Sequence, residues 1–240
     1  GALSASFIPI FLSVHAEKNP QTAFKMSAIV LNILLLFFGT MSAIVFVFAE
    51  PLTQWRIGNK IDTEQIVIII QLTRIMLAAQ VLFTISNVMT GILQSYKRFI
   101  IPSIAPIIYN LGIIAGVVLF SGMFGIYAAG IGVVIGALAH LLIQLPLAIK
   151  IGFRPIFSLD FKYPGVMRLF LLSPARFITI GIGQFQALVI AYLATSIGQL
   201  SFLYISYATL LSTFPIRMFG VPLSQAALPF LSKESKNADF

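Results

Sequence analysis

From Phe99 to Ile149 the chain carries no Asp, Glu, Lys or Arg. About 20 apolar residues cross a bilayer as a helix, so this stretch is too long for one crossing. Ser121-Gly122-Met123-Phe124-Gly125 divides it. The predicted product is a helical hairpin, with spans near Pro102–Phe120 and Ile126–Ile149 and a very short turn. A transmembrane barrel is excluded, because its strands are short and alternate in polarity. Composition points the same way: 59% of the residues are hydrophobic and 9% charged, with a mean hydropathy of +1.00. A soluble domain carries about 25% charged residues, so lipid must be the main solvent of this chain.

The hairpin is preceded by Tyr96-Lys97-Arg98, a short basic turn between two membrane-length runs, which belongs in the cytoplasm. Alternation then orients the rest. The first full span is expected near Phe24–Ala49, stopped by Glu50-Pro51. The loop Leu52–Thr63 follows, with Trp55 as an interfacial anchor. The second span is expected at Glu64–Leu93, with Arg74 as its one internal charge. Lys150–Arg168 forms a second basic loop and the best candidate domain boundary. Two more spans are expected at Val166–Thr195 and Leu200–Leu231. Gly1–Val14 is too short to cross and reads as the end of a helix begun upstream. The expectation is an all-α, polytopic bundle of about six complete spans, an internal portion of a larger membrane protein. Lys and Arg gather on the Lys97 side, while Arg56 and Lys60 stand opposite, which fits the alternation. The net charge of +8 is scattered over helix ends, and nucleic acid is not an expected partner.

Several chemistries are excluded. Cys is absent, and His15 and His140 are the two histidines. Glu50, Glu64 and Asp160 fall at ends or in loops, which gives no support to a carboxylate proton relay. No nucleophile–base pair, phosphate loop or zinc-protease motif occurs. No catalytic residue, metal or cofactor is expected.

Attention therefore moves to polar and helix-breaking residues within spans. Pro174, Pro215 and Pro222 each remove a backbone donor, and the freed carbonyls need partners from other helices or a watery cavity. Arg217, between two of these prolines, lies near mid-membrane. Guanidinium is permanently charged and grips phosphate in a fork, which makes Arg217 the first candidate for an anion contact. Arg176, near the inner end, and Arg74, about ten residues in from the outer end, are weaker candidates, since both can snorkel. Asn87, Asn110, His140, Gln144 and Gln184 are second-line candidates for a polar cavity, against the alternative of hydrogen bonds between helices. His140 and Gln144 share one helix face. Gly112/Gly116 and Gly132/Gly136 match the small-xxx-small spacing of close helix packing.

Several blocks carry a family likeness. They are Gly1-Ala2-Leu3-Ser4-Ala5-Ser6-Phe7-Ile8-Pro9, Gly91-Ile92-Leu93-Gln94-Ser95-Tyr96-Lys97-Arg98-Phe99 and Pro102-Ser103-Ile104-Ala105-Pro106 with Tyr109-Asn110. Gly136-Ala137 with His140 and Gln144-Leu145-Pro146, then Tyr207-Ala208, Phe214-Pro215, Gly220-Val221 and Leu228-Pro229, continue it. In these the chain resembles the MurJ (MviN) family of lipid II flippases, within the multidrug and oligosaccharidyl-lipid exporters. The resemblance implies a two-lobed bundle of about fourteen helices working by alternating access in the bacterial cytoplasmic membrane. Residues 1–153 would be most of the first lobe, 154–165 an inter-lobe loop on the cytoplasmic side, and 166–240 the start of the second. The implied substrate is an undecaprenyl-diphosphate-linked peptidoglycan precursor, held by basic residues in a central cavity, with membrane lipid as the other partner and the coupling ion open. Thr209 and Leu210 stand where the family usually has a cavity arginine, and Arg217 is two turns further on. Two alternatives remain. One is an exporter of another lipid-linked oligosaccharide, or a cation-coupled drug exporter. The other is a membrane scaffold that transports nothing.

Overall fold

The computed structural model describes residues 2–57, 62–172, 174–198 and 200–220. The described residues are helical, with short connections and one extended loop. In order they form α1 (Ala2–Glu17), α2 (Pro20–Val47), α3 (Ala49–Ile57), α4 (Thr63–Ser95), α5 (Ile100–Phe124), α6 (Tyr127–Leu142), α7 (Leu145–Lys150), α8 (Val166–Leu172), α9 (Pro174–Ile197) and α10 (Ser201–Pro215). A π-helical turn, Ile216–Gly220, follows. Among the described residues, four helices are long and apolar enough to cross a membrane: Pro20–Val47, Thr63–Ser95, Ile100–Phe124 and Tyr127–Lys150.

Local chemistry sets the boundaries. Asn19 caps α2, its side chain accepting the Thr22 amide at 2.7 Å, and Pro20 fills the first position, where no donor is needed. At the end of α4, Lys97 takes a left-handed conformation (φ 58°). The Arg98 amide then reaches back to the Leu93 carbonyl at 2.9 Å, and the Lys97 amide to that of Gln94 at 3.0 Å. This closes the helix with the reverse bonds a glycine usually provides, and two cations stand at the negative end of the dipole.

The predicted hairpin is α5–α6. It turns at Gly125, whose φ of 53° suits a residue without a Cβ. A methyl group on Gly112 would collide with the backbone of Gly136, and one on Gly116 with that of Gly132. The two helices therefore touch backbone to backbone, as the glycine spacing predicts.

The chain divides into two compact units, Gly1–Thr179 and Ile180–Phe240. In the first, the buried core gathers around α1, the start of α2 and the end of α4, with α7, Phe153 and α8. Phe11 is fully buried and meets Phe24 at 5.8 Å and Tyr96 at 6.0 Å between ring centroids. The Phe24 and Tyr96 rings stack nearly parallel at 5.6 Å. Residues 153–160 run without regular structure, and Asn32 on α2 donates to the Ile156 carbonyl at 2.7 Å and to that of Ser158 at 3.1 Å. Val166 and Leu169 of α8 are buried in the same core.

The described residues of the expected span Val166–Thr195 form α8 and α9 on either side of residue 173, and Pro174 is the first residue of α9. In the second unit, α10 ends at Pro215 and passes into the π-helical turn. The remainder of the expected span Leu200–Leu231, with Pro222, lies outside the described residues.

Candidate functional site

The best-defined polar constellation joins α4 to α6 and α7. Pro146 has no amide hydrogen, so the helix breaks at Ile143 and Gln144. The Gln144 amide bonds to Leu141 at 3.1 Å, one residue short of the α-helical partner, and so leaves the His140 carbonyl free. The side-chain amide of Gln144 donates to that carbonyl at 3.0 Å and to Ser86 Oγ at 2.8 Å. Ser86 Oγ lies 2.6 Å from His140 Nδ1. Thr90 Oγ1 donates to Gln144 Oε1 at 2.7 Å. The Ser86 hydroxyl also donates to the His140 carbonyl at 3.3 Å, so one oxygen serves both the ring and the backbone of His140. Ser86 and Gln144 are fully buried and His140 nearly so. The Phe83 ring covers His140 edge-on, 5.3 Å between centroids, and also meets Tyr109 at 5.0 Å. This network ties a broken helix to its neighbour. Among the described residues it faces protein rather than a cavity.

The other sequence-predicted residues are dispersed. Asn87 on α4, Asn110 on α5 and Gln184 on α9 are exposed. Arg74 is half-buried at the end of α2, where its Nε donates to the Phe46 carbonyl at 3.2 Å. Its guanidinium also lies 5.1 Å from the Phe46 ring centroid. The backbones of Arg176 and Arg217 lie in α9 and in the π-helical turn, and their side chains fall outside the described part. The structure brings His140 and Gln144 together and leaves the arginines apart.

Sequence reasoning missed Ser86, Thr90 and Asn32. Ser86 and Thr90 carry a usable signal, four residues apart on one face and opposite another polar pair with that spacing.

Long apolar helices, basic turns at one end and polar groups satisfied between helices define a multi-pass α-helical membrane protein. The profile of the family described as "Lipid II flippase MurJ" matches residues 1–240. The chain belongs to that family. A lipid II flippase MurJ of Burkholderia cenocepacia is 28% identical over 248 residues, covering 100% of this chain and 48% of the relative. A probable lipid II flippase MurJ of Buchnera aphidicola is 26% identical, covering 99% of this chain and 47% of the relative. A solved structure titled "Lipid II flippase MurJ, inward closed conformation" superposes with a TM-score of 0.78 at 23% identity, over 99% of this chain and 49% of that one. The chain thus spans about half the length of the curated relatives it matches.

Proposed function

We propose that the chain forms part of a flippase that carries a lipid-linked peptidoglycan precursor across the bacterial cytoplasmic membrane by alternating access. The observation that carries this reading is the family match over the whole chain, joined to an all-helical membrane fold. No covalent bond changes. The protein's task is to move a charged head group through a low-dielectric layer while the lipid tail remains in the bilayer. Residues 1–153 serve as most of one lobe, 154–165 as the cytoplasmic linker and 166–240 as the start of the other. The turn at Lys97-Arg98 and the Lys150–Arg168 loop face the cytoplasm, in keeping with their charge.

Arg217 is the proposed diphosphate contact. Its backbone lies in a π-helical turn just after Pro215, and such turns occur often at functional sites because they leave carbonyls and side chains re-aimed. Arg176 is a second contact towards the inner side, and Arg74 meets a head group only at the outer end of the path. Exposed Asn87, Asn110 and Gln184 offer neutral hydrogen bonds along the way, while His140 and Gln144 hold α6 in place for them.

The test is Arg217→Ala in the full-length protein, followed by lipid-diphosphate binding and rescue of a strain lacking the flippase. Binding should weaken about tenfold or more, the scale of a lost charged hydrogen bond. Unchanged binding and full rescue would remove Arg217 from the site.

A further inference from the structure

A cleft of about 490 Å³ lies between α3 and the outer part of α4, lined by Glu50, Gln54, Thr63, Ile70, Gln71 and Arg74 among others. Its depth in the membrane follows from helix lengths. Lys25 to Phe46 on α2 and Arg74 to Ser95 on α4 each cover about 21 residues, roughly 31 Å of helix. That equals the hydrocarbon thickness of a bilayer, about 30 Å. Phe46 and Arg74 therefore mark the outer hydrocarbon boundary. The first three turns of α4 stand in the head-group layer beside α3, whose Trp55 is 86% exposed, as an interfacial anchor would be.

Two opposite charges share this cleft without meeting. Arg74 spends its Nε–H on the Phe46 carbonyl, in the last turn of α2 where intrahelical donors run out. Its terminal amines have no hydrogen bond among the described residues. Glu50 receives only the Gln54 amide, at 3.3 Å. No ion pair joins Glu50 to Arg74. A site built so is complementary to a molecule that carries both charges a few ångströms apart.

We propose that this cleft binds the head group of a zwitterionic aminophospholipid from the outer leaflet. The phosphodiester sits on the free edge of the Arg74 guanidinium, and the primary ammonium donates to Glu50. Gln71 and Thr63 supply neutral partners to the remaining phosphate and ester oxygens. Arg74 gives the phosphate a fork of two N–H donors, which a lysine would not. A glycerol head group leaves Glu50 without a cation, and a trimethylammonium head group has no N–H to give it. The site makes no use of Arg217 and shares only Arg74 with the path proposed above, so the Glu50→Gln arm, which touches no residue of that path, tests it separately.

The experiment uses the full-length protein, delipidated in detergent and titrated with phosphatidylethanolamine, phosphatidylcholine or phosphatidylglycerol. Retained lipid is counted by native mass spectrometry. Phosphatidylethanolamine should be retained at about tenfold lower concentration than the other two, the scale of one charge-assisted hydrogen bond. Glu50→Gln should equalise phosphatidylethanolamine and phosphatidylglycerol, and Arg74→Gln should weaken all three lipids. Glu50 is exposed, so its variant leaves the core intact and carries the test even if Arg74→Gln does not fold. Equal retention of the three lipids by the wild type would overturn the proposal. So would a preference that survives Glu50→Gln, or displacement of the lipid by an equal concentration of inorganic phosphate.

Discussion

The half of the first unit that holds Lys97 and the half that holds Arg74 are built differently. On α2 the buried residues run from Ala23 to Leu34, while Leu36, Phe37, Phe38, Met41, Ile44 and Phe46 are exposed. The same gradient holds on α4, whose buried residues crowd between Thr84 and Leu93. Both halves are equally greasy, so hydrophobicity does not explain the contrast. In a bilayer an apolar side chain gains little by leaving lipid for protein. Packing is demanded where backbone polar groups need shelter or where helices must touch closely. The Lys97 half holds the helix break at Gln144, which frees the His140 carbonyl, and the irregular 153–160 segment, and both find donors in the protein, Gln144 and Asn32. The other half of α2 has no such break, and its side chains are free to meet lipid or other parts of a larger assembly.

The contrast can be broken or sharpened by paired substitutions in the full-length protein. Phe11→Ala, in the fully buried aromatic cluster, should cost about 3–5 kcal/mol in detergent unfolding. The chemically identical change Phe37→Ala, at an exposed site, should cost less than about 1 kcal/mol. Equal losses would mean that the two halves do not differ. Next in size, Gly116→Leu forces side-chain atoms into the backbone of Gly132 and should cost at least about 1–3 kcal/mol, read as loss of folded protein after heating. Gly39→Leu, with open space around it, should be tolerated. Gln144→Leu removes the shorter of the two hydrogen bonds to the His140 carbonyl and the acceptor of the Thr90 hydroxyl, and should cost about 1–3 kcal/mol. A double-mutant cycle with Ser86→Ala should show coupling, and strict additivity would refute the network. The smallest effect belongs to Asn32→Ala, about 1 kcal/mol. Its clearer signature is faster amide exchange confined to residues 153–160.

How much of this was legible in the sequence differs from residue to residue. The hairpin could be read because charge is absent for so long, and its contact face because glycines are four apart on both helices. Partners were harder to read. His140 and Gln144 announced a shared face, but serine and threonine in apolar helices commonly bond to their own backbone, as Thr84 does to the Gln80 carbonyl. Ser86 and Thr90, which reach across, differ from such residues only in their four-residue spacing, matched to that of His140 and Gln144. Asn32 was invisible for a related reason, since its acceptors are carbonyls more than a hundred residues away in a segment without periodicity. Arg74 could be read only along its own helix. α4 is 33 residues long and α2 is 28, and the bond from Arg74 to the Phe46 carbonyl, which sets it beside the end of α2, has no signal in the sequence. Arg217 remains a reading from sequence and from the backbone of the turn that carries it.

The turn at Gly125 also bears on how such a chain enters its membrane. The loop between α5 and α6 consists of Gly125 and Ile126, and it offers neither a charge nor a polar side chain to be hauled through the hydrocarbon. The glycine faces allow the two helices to close on each other backbone to backbone. On the proposed orientation, the pair crosses as a single preassembled wedge during synthesis, steered by the cations at Lys97, Arg98 and Lys150, which would stay behind.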